Sequence, residues 1–373
     1  MYNSIKVEYM YKVHYTILKH KKEGDFLDII QTTSRKRETY DVQLTYSPLW
    51  ECALGIAAVT NKPLIDTLEK PVSYWDELKE TLSANLLKHL DYVEENNTWK
   101  ALLQVLHHIE SNTIDEFRSR IQRLSDFSLK FHCLPFIGEK FQYLREEAAR
   151  GKEDAILKLK SQTSDNPFFP QYIAFISKVN AIELKKHLTE VMMEWYESVI
   201  VPNMEETQQI LQTDFQSKVQ MKEKMSPEQL VQWATGGVNY LPEPSVYRVL
   251  LIPQYVYRPW NIEADLEGTK VFYYPVANES LSPNDKYMPS NFLVQKHKAL
   301  GEEVRLRIVK LLSEGDRSLQ NLTEHLKMGK TTIHHHLKIL RAAKIVEMNG
   351  MNYALKANAL ELLFKELNQY IER

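Results

Sequence analysis

Apolar and polar positions along the chain change their period several times, and each change predicts a different kind of structure. Residues 5–17 alternate strictly, with Ile5, Val7, Tyr9, Tyr11, Val13, Tyr15 and Ile17 on one side, which predicts a strand. A polar, basic stretch follows, and a second alternation runs through Tyr40, Val42, Leu44 and Tyr46. Neither strand has an evident sheet to join. From 47 to about 236 the period is helical. Ser47-Pro48 supplies a cap and a first-turn proline. After Ser73, Leu78, Leu82, Leu86, Leu87 and Leu90 form one stripe, and Leu102, Val105, Leu106 and Ile109 form another. Residues 181–199 and 204–225 predict two long helices parted by Pro202. Ser226-Pro227 opens a further helix that Gly236-Gly237 closes. So long a helical run predicts an all-α domain.

Two β-rich stretches follow, 246–257 and 271–276, with Gly268 in the connection. Pro242, Pro244, Pro253, Pro259 and Pro275 are expected to keep these strands short or at sheet edges. The polar segment 277–290, with two prolines, reads as a linker. Beyond it, Val304, Ile308, Leu311 and Leu312 share one face of an amphipathic helix that Gly315-Asp316 ends. Ser318 caps a short helix with Leu319, Leu322 and Leu326 on one face. Met328-Gly329 makes a tight turn into a third helix from about Lys330, with Ile333, His336, Leu337 and Leu340 pointing inward. Ile345-Val346 and Tyr353-Ala354-Leu355 flank Asn349-Gly350, a strong hairpin signal because both turn positions need positive φ. Helices followed by a hairpin make a winged helix-turn-helix. The expected fold is mainly α. It comprises an N-terminal extension at 1–38 whose order is open, a mostly helical domain at 39–276 with short strands at 246–276, a linker at 277–290, and a winged helix-turn-helix domain with dimerisation helices at 291–373.

Composition narrows the function classes. Of the 373 residues, 43% are hydrophobic and 26% charged, ordinary for a globular protein with a sizeable core. Two cysteines, Cys52 and Cys133, make neither a disulfide framework nor a thiolate cluster. No apolar run approaches the ~20 residues of a membrane span. The first residues hold no apolar signal-peptide core, so a cytoplasmic protein without membrane contact is expected. The net formal charge of −2 argues against wholesale polyanion binding. That charge is unevenly shared: residues 297–373 hold 13 Lys plus Arg against 9 Asp plus Glu, and the rest hold 34 against 40. No acid lies between Glu324 and Glu347, a window with Lys327, Lys330, Lys338, Arg341, Lys344 and four histidines. Such a block suits either nucleic-acid contact or a solvated helix face.

The third helix decides between these readings. A recognition helix fits the ~12 Å major groove, its first residues meeting base edges and its flanking cations meeting phosphates. Thr331 and Thr332 can read bases through hydroxyl or methyl, Lys330 and Lys338 suit phosphate or guanine, and His335 can donate to either. With His334 at the flank, Arg341 beyond, and Asn349 and Lys356 on the wing, these residues form the expected interface with double-stranded operator DNA.

Residues 299–347 resemble the winged-helix domain of ArsR-type transcriptional regulators. The resemblance lies in Arg305-Leu306-Arg307-Ile308, in Ser318-Leu319-x-x-Leu322, and above all in Lys330-Thr331-Thr332-Ile333-x-His335-His336-Leu337-Lys338-x-Leu340; with the final helix it covers about 75 of the 373 residues. It implies a bacterial homodimer that binds operator DNA, usually as a repressor, and releases it when an effector binds. Residues 47–275 resemble the helical extension that precedes such a domain in some bacterial regulators, which implies no particular ligand. Three departures matter. The second helix, Leu319-Gln320-Asn321-Leu322-Thr323-Glu324, lacks the cysteine pair of metal-sensing members. The last helix offers Asn358, Glu361 and Glu366 rather than Asp and His ligands, so a non-metal effector or a protein partner is expected. The wing tip, Met348-Asn349-Gly350-Met351-Asn352, carries no cation, which leaves more of the contact to the recognition helix and Lys356.

Several residues admit two readings. Successive helical residues point ~100° apart, so His334, His335 and His336 cannot converge on one metal ion; no metal or other cofactor is expected. Arg305 and Arg307 suit ion pairs within the domain or phosphate contacts. Leu360, Leu363, Phe364, Leu367 and Ile371 form a long stripe that buries either on its own chain or in a dimer interface, which the resemblance favours. A two-fold dimer would place two recognition helices about 34–36 Å apart. Cys133 beside His132 has no third catalytic partner and reads as core, as does Cys52; His107-His108-x-Glu110 lacks the spacing of a zinc protease. The aromatic stretch 240–260 lines an effector pocket or packs between domains. No phosphate loop or nucleophile elbow occurs, so the chain is not expected to be an enzyme. The alternative is an enzyme or protein-interaction module in the helical body, with the winged helix as adaptor.

Overall fold

Helix-capping signals in the sequence become helices with the caps in place. In the computed structural model, which describes residues 39–372 except 286, 357 and 358, Ser47 accepts a hydrogen bond from the Leu49 N–H at the start of α1 (Pro48–Thr60). The chain continues through α2 (Lys62–Ile65), α3 (Val72–Thr81), α4 (Ala84–Asn96), α5 (Trp99–His108), α6 (Ile114–Arg123), α7 (Asp126–Cys133), α8 (Gln142–Ala149), α9 (Glu153–Gln162), α10 (Phe169–Lys178) and α11 (Ala181–Trp195). A π-helical turn, Tyr196–Ile200, and a 3-10 turn, Val201–Asn203, carry it around Pro202 into α12 (Met204–Lys222). The capping box of Ser226 and Gln229 starts α13 (Pro227–Ala234). The protein is mainly helical, with a few strands and a helix-turn-helix domain at its C-terminal side. The alternation at residues 5–17 and the rest of the extension at 1–38 lie outside the described residues.

The leucine stripe after Ser73 belongs to two helices rather than one. Leu82 is extended (φ −79°, ψ 150°) and Ser83 caps α4 through the Leu86 N–H, so the chain turns between Thr81 and Ala84. Both helices keep their apolar faces on one large core. At its centre Trp195 is fully buried against Gly55 of α1, where an added Cβ would lie 2.8 Å from the indole Nε1. Both cysteines lie in this core.

Residues 40–46 do find a sheet. β1 (Asp41–Leu44) pairs in parallel with β2 (Arg248–Gln254), β2 in parallel with β4 (Thr269–Pro275), and β4 antiparallel with β3 (Ile262–Leu266), in the order β1-β2-β4-β3. β2 and β4 are thus inner strands of seven residues each, against the expectation that their prolines would keep them short or at edges. Pro253 is tolerated because β1 pairs with β2 only as far as Leu251. Both faces of the sheet are covered, which explains the unbroken apolar runs. Ile252, Val271 and Tyr273 face the main helical core, whereas Val249, Leu251, Phe272 and Tyr274 meet Tyr40, Val42 and α13. The aromatic stretch packs: Tyr240 lies against Tyr40 and Phe272, and the Trp260 indole donates to Thr67 Oγ1.

Two buried carboxylates tie helices to loops. Asp214 of α12 accepts from Lys218 Nζ (3.3 Å), the Ala277 N–H (2.8 Å) and Ser280 Oγ (3.0 Å). This clamps the first turn of the 277–290 segment, α14 (Asn278–Leu281), onto the body. Glu51 of α1 accepts from the backbone N–H groups of Tyr255 and Val256. Burial pushes its carboxyl up to about 7, although both N–H groups and the nearby Lys70 favour the charged form. In the unfolded chain the same group titrates near 4.5. Its contribution to stability is therefore complete below pH ~4.5 and is lost as pH rises towards 7. We expect Glu51→Gln to flatten this fall: between pH 4.5 and 8 the wild type should lose up to roughly 3 kcal/mol more than the variant, measured by urea unfolding. Parallel pH profiles of the two proteins would refute this reading of the burial.

The C-terminal elements form their own core. After α15 (Asn291–Leu300) come α16 (Glu303–Ser313), α17 (Leu319–Leu326), α18 (Lys330–Ala342), β5 (Val346–Asn349), β6 (Asn352–Leu355) and α19 (Ala359–Ile371). Ile308, Leu312, Leu322, Leu326, Ile333, Leu337, Leu340, Ile345 and Tyr353 meet in one cluster that shares no buried residue with the other cores. Among the described residues, no helix is long and apolar enough to cross a membrane.

Candidate nucleic-acid interface

Sequence and geometry agree on how the third helix of this domain is held out. Ser318 caps α17 through the Asn321 N–H. Lys327, in the left-handed region at φ 54°, ends α17 and swings the chain into α18, whose cap is Gly329. Ile333, Leu337 and Leu340 are buried one helical turn apart, so the opposite flank must face outward. Lys330, Thr331 and Thr332 in its first turn are exposed, and His334, His335, Lys338 and Arg341 are partly so. Burial and the neighbouring Lys338, Arg341 and Lys330 lower the His334 pKa. His336 faces inward as expected, 3.5 Å from Glu302, and burial lowers its pKa as well, with Glu302 opposing.

The wing differs from expectation by one residue. Asn349 ends β5 opposite Asn352, so the turn residues are Gly350 and Met351, and only Gly350 has positive φ (60°). Glycine at the first turn position is the type II′ pattern, which needs positive φ once rather than twice. Asn349 instead donates to Asp316 at 2.8 Å. Arg317 joins the wing by exchanging backbone hydrogen bonds with Tyr353. Arg305 binds the Ala299 and Lys298 carbonyls at the end of α15, beside Glu302. Arg307 is exposed.

The family described as "Bacterial regulatory protein, arsR family" matches residues 302–348, the span from the cap of α16 to the second residue from the end of β5. The C-terminal domain is an ArsR-type helix-turn-helix. Over 49 residues the chain is 37% identical to the transcriptional repressor SdpR of Bacillus subtilis (strain 168), 13% of this chain and 54% of that protein. The chain therefore matches about half the length of this relative. No solved structure matches the chain.

Other expected site residues are distributed unevenly. In α19, Leu363 is buried and Leu360 and Leu367 are partly buried, while Phe364 and Ile371 stand 67% and 69% exposed. Lys296 of α15 pairs with Glu366 at 2.7 Å, so one flank of α19 docks on its own chain and the other is open. Lys356 does not project beyond the wing: its ammonium donates to the Gly237 carbonyl of the helical body, and burial lowers its pKa. Lys344, another cation of the acid-free block, is pushed down to about 8 by burial and by Lys356, with Glu263 of β3 opposing. Sequence reasoning did not find the body residues that meet α18. His335 Nδ1 lies 3.2 Å from the Asp66 carboxylate, and Lys338 Nζ donates to the Pro63 carbonyl at 2.5 Å. Nothing in the pattern around α2 distinguishes these two residues. Among the described residues, no three His, Cys, Asp or Glu side chains are arranged to hold a metal ion.

Proposed function

We propose that the chain is a non-enzymatic transcriptional regulator that binds double-stranded operator DNA as a homodimer in the cytoplasm, acts as a repressor, and takes its signal from a non-metal small molecule or protein partner through the helical body. The observation that carries this reading is the exposed first turn of α18, with Lys330, Thr331 and Thr332 presented on a domain of ArsR type. The relative's function as a transcriptional repressor supports the same direction. The open flank of α19, Phe364 and Ile371, supports a contact with a second copy, and Leu360, Leu363 and Leu367 back it from the inside.

Selection from a random duplex pool, followed by fluorescence anisotropy, tests the proposal. The protein should enrich one palindromic sequence, bind it with steep salt dependence, and sediment with two protomers per duplex. Lys330→Ala should weaken binding to every duplex alike and make the salt slope shallower by about one unit. Enrichment of no sequence over random DNA, by the wild type or by a variant at Asp66, would sink the reading.

A further inference from the structure

The surface that reads DNA in the proposed function is partly occupied by the chain itself. Thr331, His335 and Lys338 fall on one stripe of α18, at i, i+4 and i+7. The lower two positions meet the body: His335 the Asp66 carboxylate, Lys338 the Pro63 carbonyl. Both acceptors are oxygens, one of them charged, standing where phosphate oxygens would be met by the same donors. A helix with its side chains is about 10–12 Å across and fills a major groove ~12 Å wide, so α18 cannot seat its second and third turns while α2 lies against them.

The same docking holds other cations of the domain. Lys356 is bound by the Gly237 carbonyl, and the partly buried Lys344 feels the charge of Glu263 of β3. Phe292 of α15 fits against Gly236, whose added Cβ would lie 2.1 Å from the ring and whose φ is +67°. Lys338 and Lys356, both expected on DNA, are thus turned towards the body, through contacts that involve no member of either core.

We propose that the α2–Asp66 segment is an intramolecular mask of the recognition helix, and that DNA binding requires its release. The inference rests on the regulator reading above. A binding-competent state that is only a minor fraction of the protein lowers apparent affinity by that fraction. His335 and Asp66 are both nearly half-exposed, so the contact is a surface one and can be broken by a single substitution without loss of fold.

The test compares the full-length wild type with Asp66→Lys and, as a control of equal added charge on an exposed position far along the chain, Glu146→Lys. The probes are the duplex enriched by the wild type or by Asp66→Lys and a scrambled version of it. Asp66→Lys should bind the enriched duplex roughly tenfold more tightly than wild type, and Glu146→Lys less than about threefold. Asp66→Asn, a milder change, should fall between, and it decides the matter if the lysine variant does not fold. A wild type that binds its duplex as tightly as both Asp66 variants, or a Glu146→Lys gain that equals theirs, overturns the mask and leaves the regulator reading standing. Enrichment of no duplex by any of the proteins overturns the regulator reading, and the mask with it.

Discussion

With Thr331 and Thr332 both replaced by alanine, the protein is expected to lose about 100-fold in affinity for its operator while its affinity for scrambled duplex stays unchanged. Both residues lie in the first turn of α18, exposed and clear of the α2 contact. They are therefore the side chains already free to meet base edges. Each lost base contact costs about 1–3 kcal/mol, so two at about 1.4 kcal/mol each, in the lower half of that range, multiply to about two orders of magnitude. Neither threonine is buried, so the fold should shift by less than about 0.5 kcal/mol. Anisotropy titrations on the two duplexes, with thermal melts of both proteins, separate the effects. Retained discrimination would place base reading elsewhere on the domain.

Trp195→Ala is expected to destabilise the helical body by about 3–5 kcal/mol, because a fully buried aromatic side chain leaves a cavity that its neighbours cannot close. The void would open against α1, where Gly55 admits the indole and nothing larger than hydrogen occupies the facing position. Guanidinium unfolding followed by circular dichroism should show the first transition at lower denaturant. The ArsR-type core holds none of these residues and should melt where it does in the wild type. A loss below about 1 kcal/mol would mean that the surrounding helices repack into the space.

Local chemistry made much of the C-terminal domain legible. Three helices with their apolar faces, the Ser318 cap and a glycine turn are properties of neighbouring residues, and they reappear as α16, α17, α18 and the β5–β6 hairpin. The Asn-Gly signal located the turn but missed its register by one residue, since composition does not state which two residues sit at its corners. The leucine stripe runs across two helices because Leu82 keeps the apolar period through the break, and Ser83 is the local clue to it. β1 had a readable alternation but no readable partner, because parallel pairing with β2 closes across some 200 residues and leaves no mark on either strand.

By itself, the sequence determined the elements of this protein: helices through their caps and 3.6-residue period, strands through apolar content, and an ArsR-type recognition helix through a short ordered string of residues. The tertiary structure alone decided where those elements stand. It put Pro253 inside a sheet, turned Lys356 onto the helical body, and laid Pro63 and Asp66 against Lys338 and His335. The reason is that periodicity records which face of an element is apolar, whereas docking depends on the shape and charge of surfaces assembled from residues far apart in the chain.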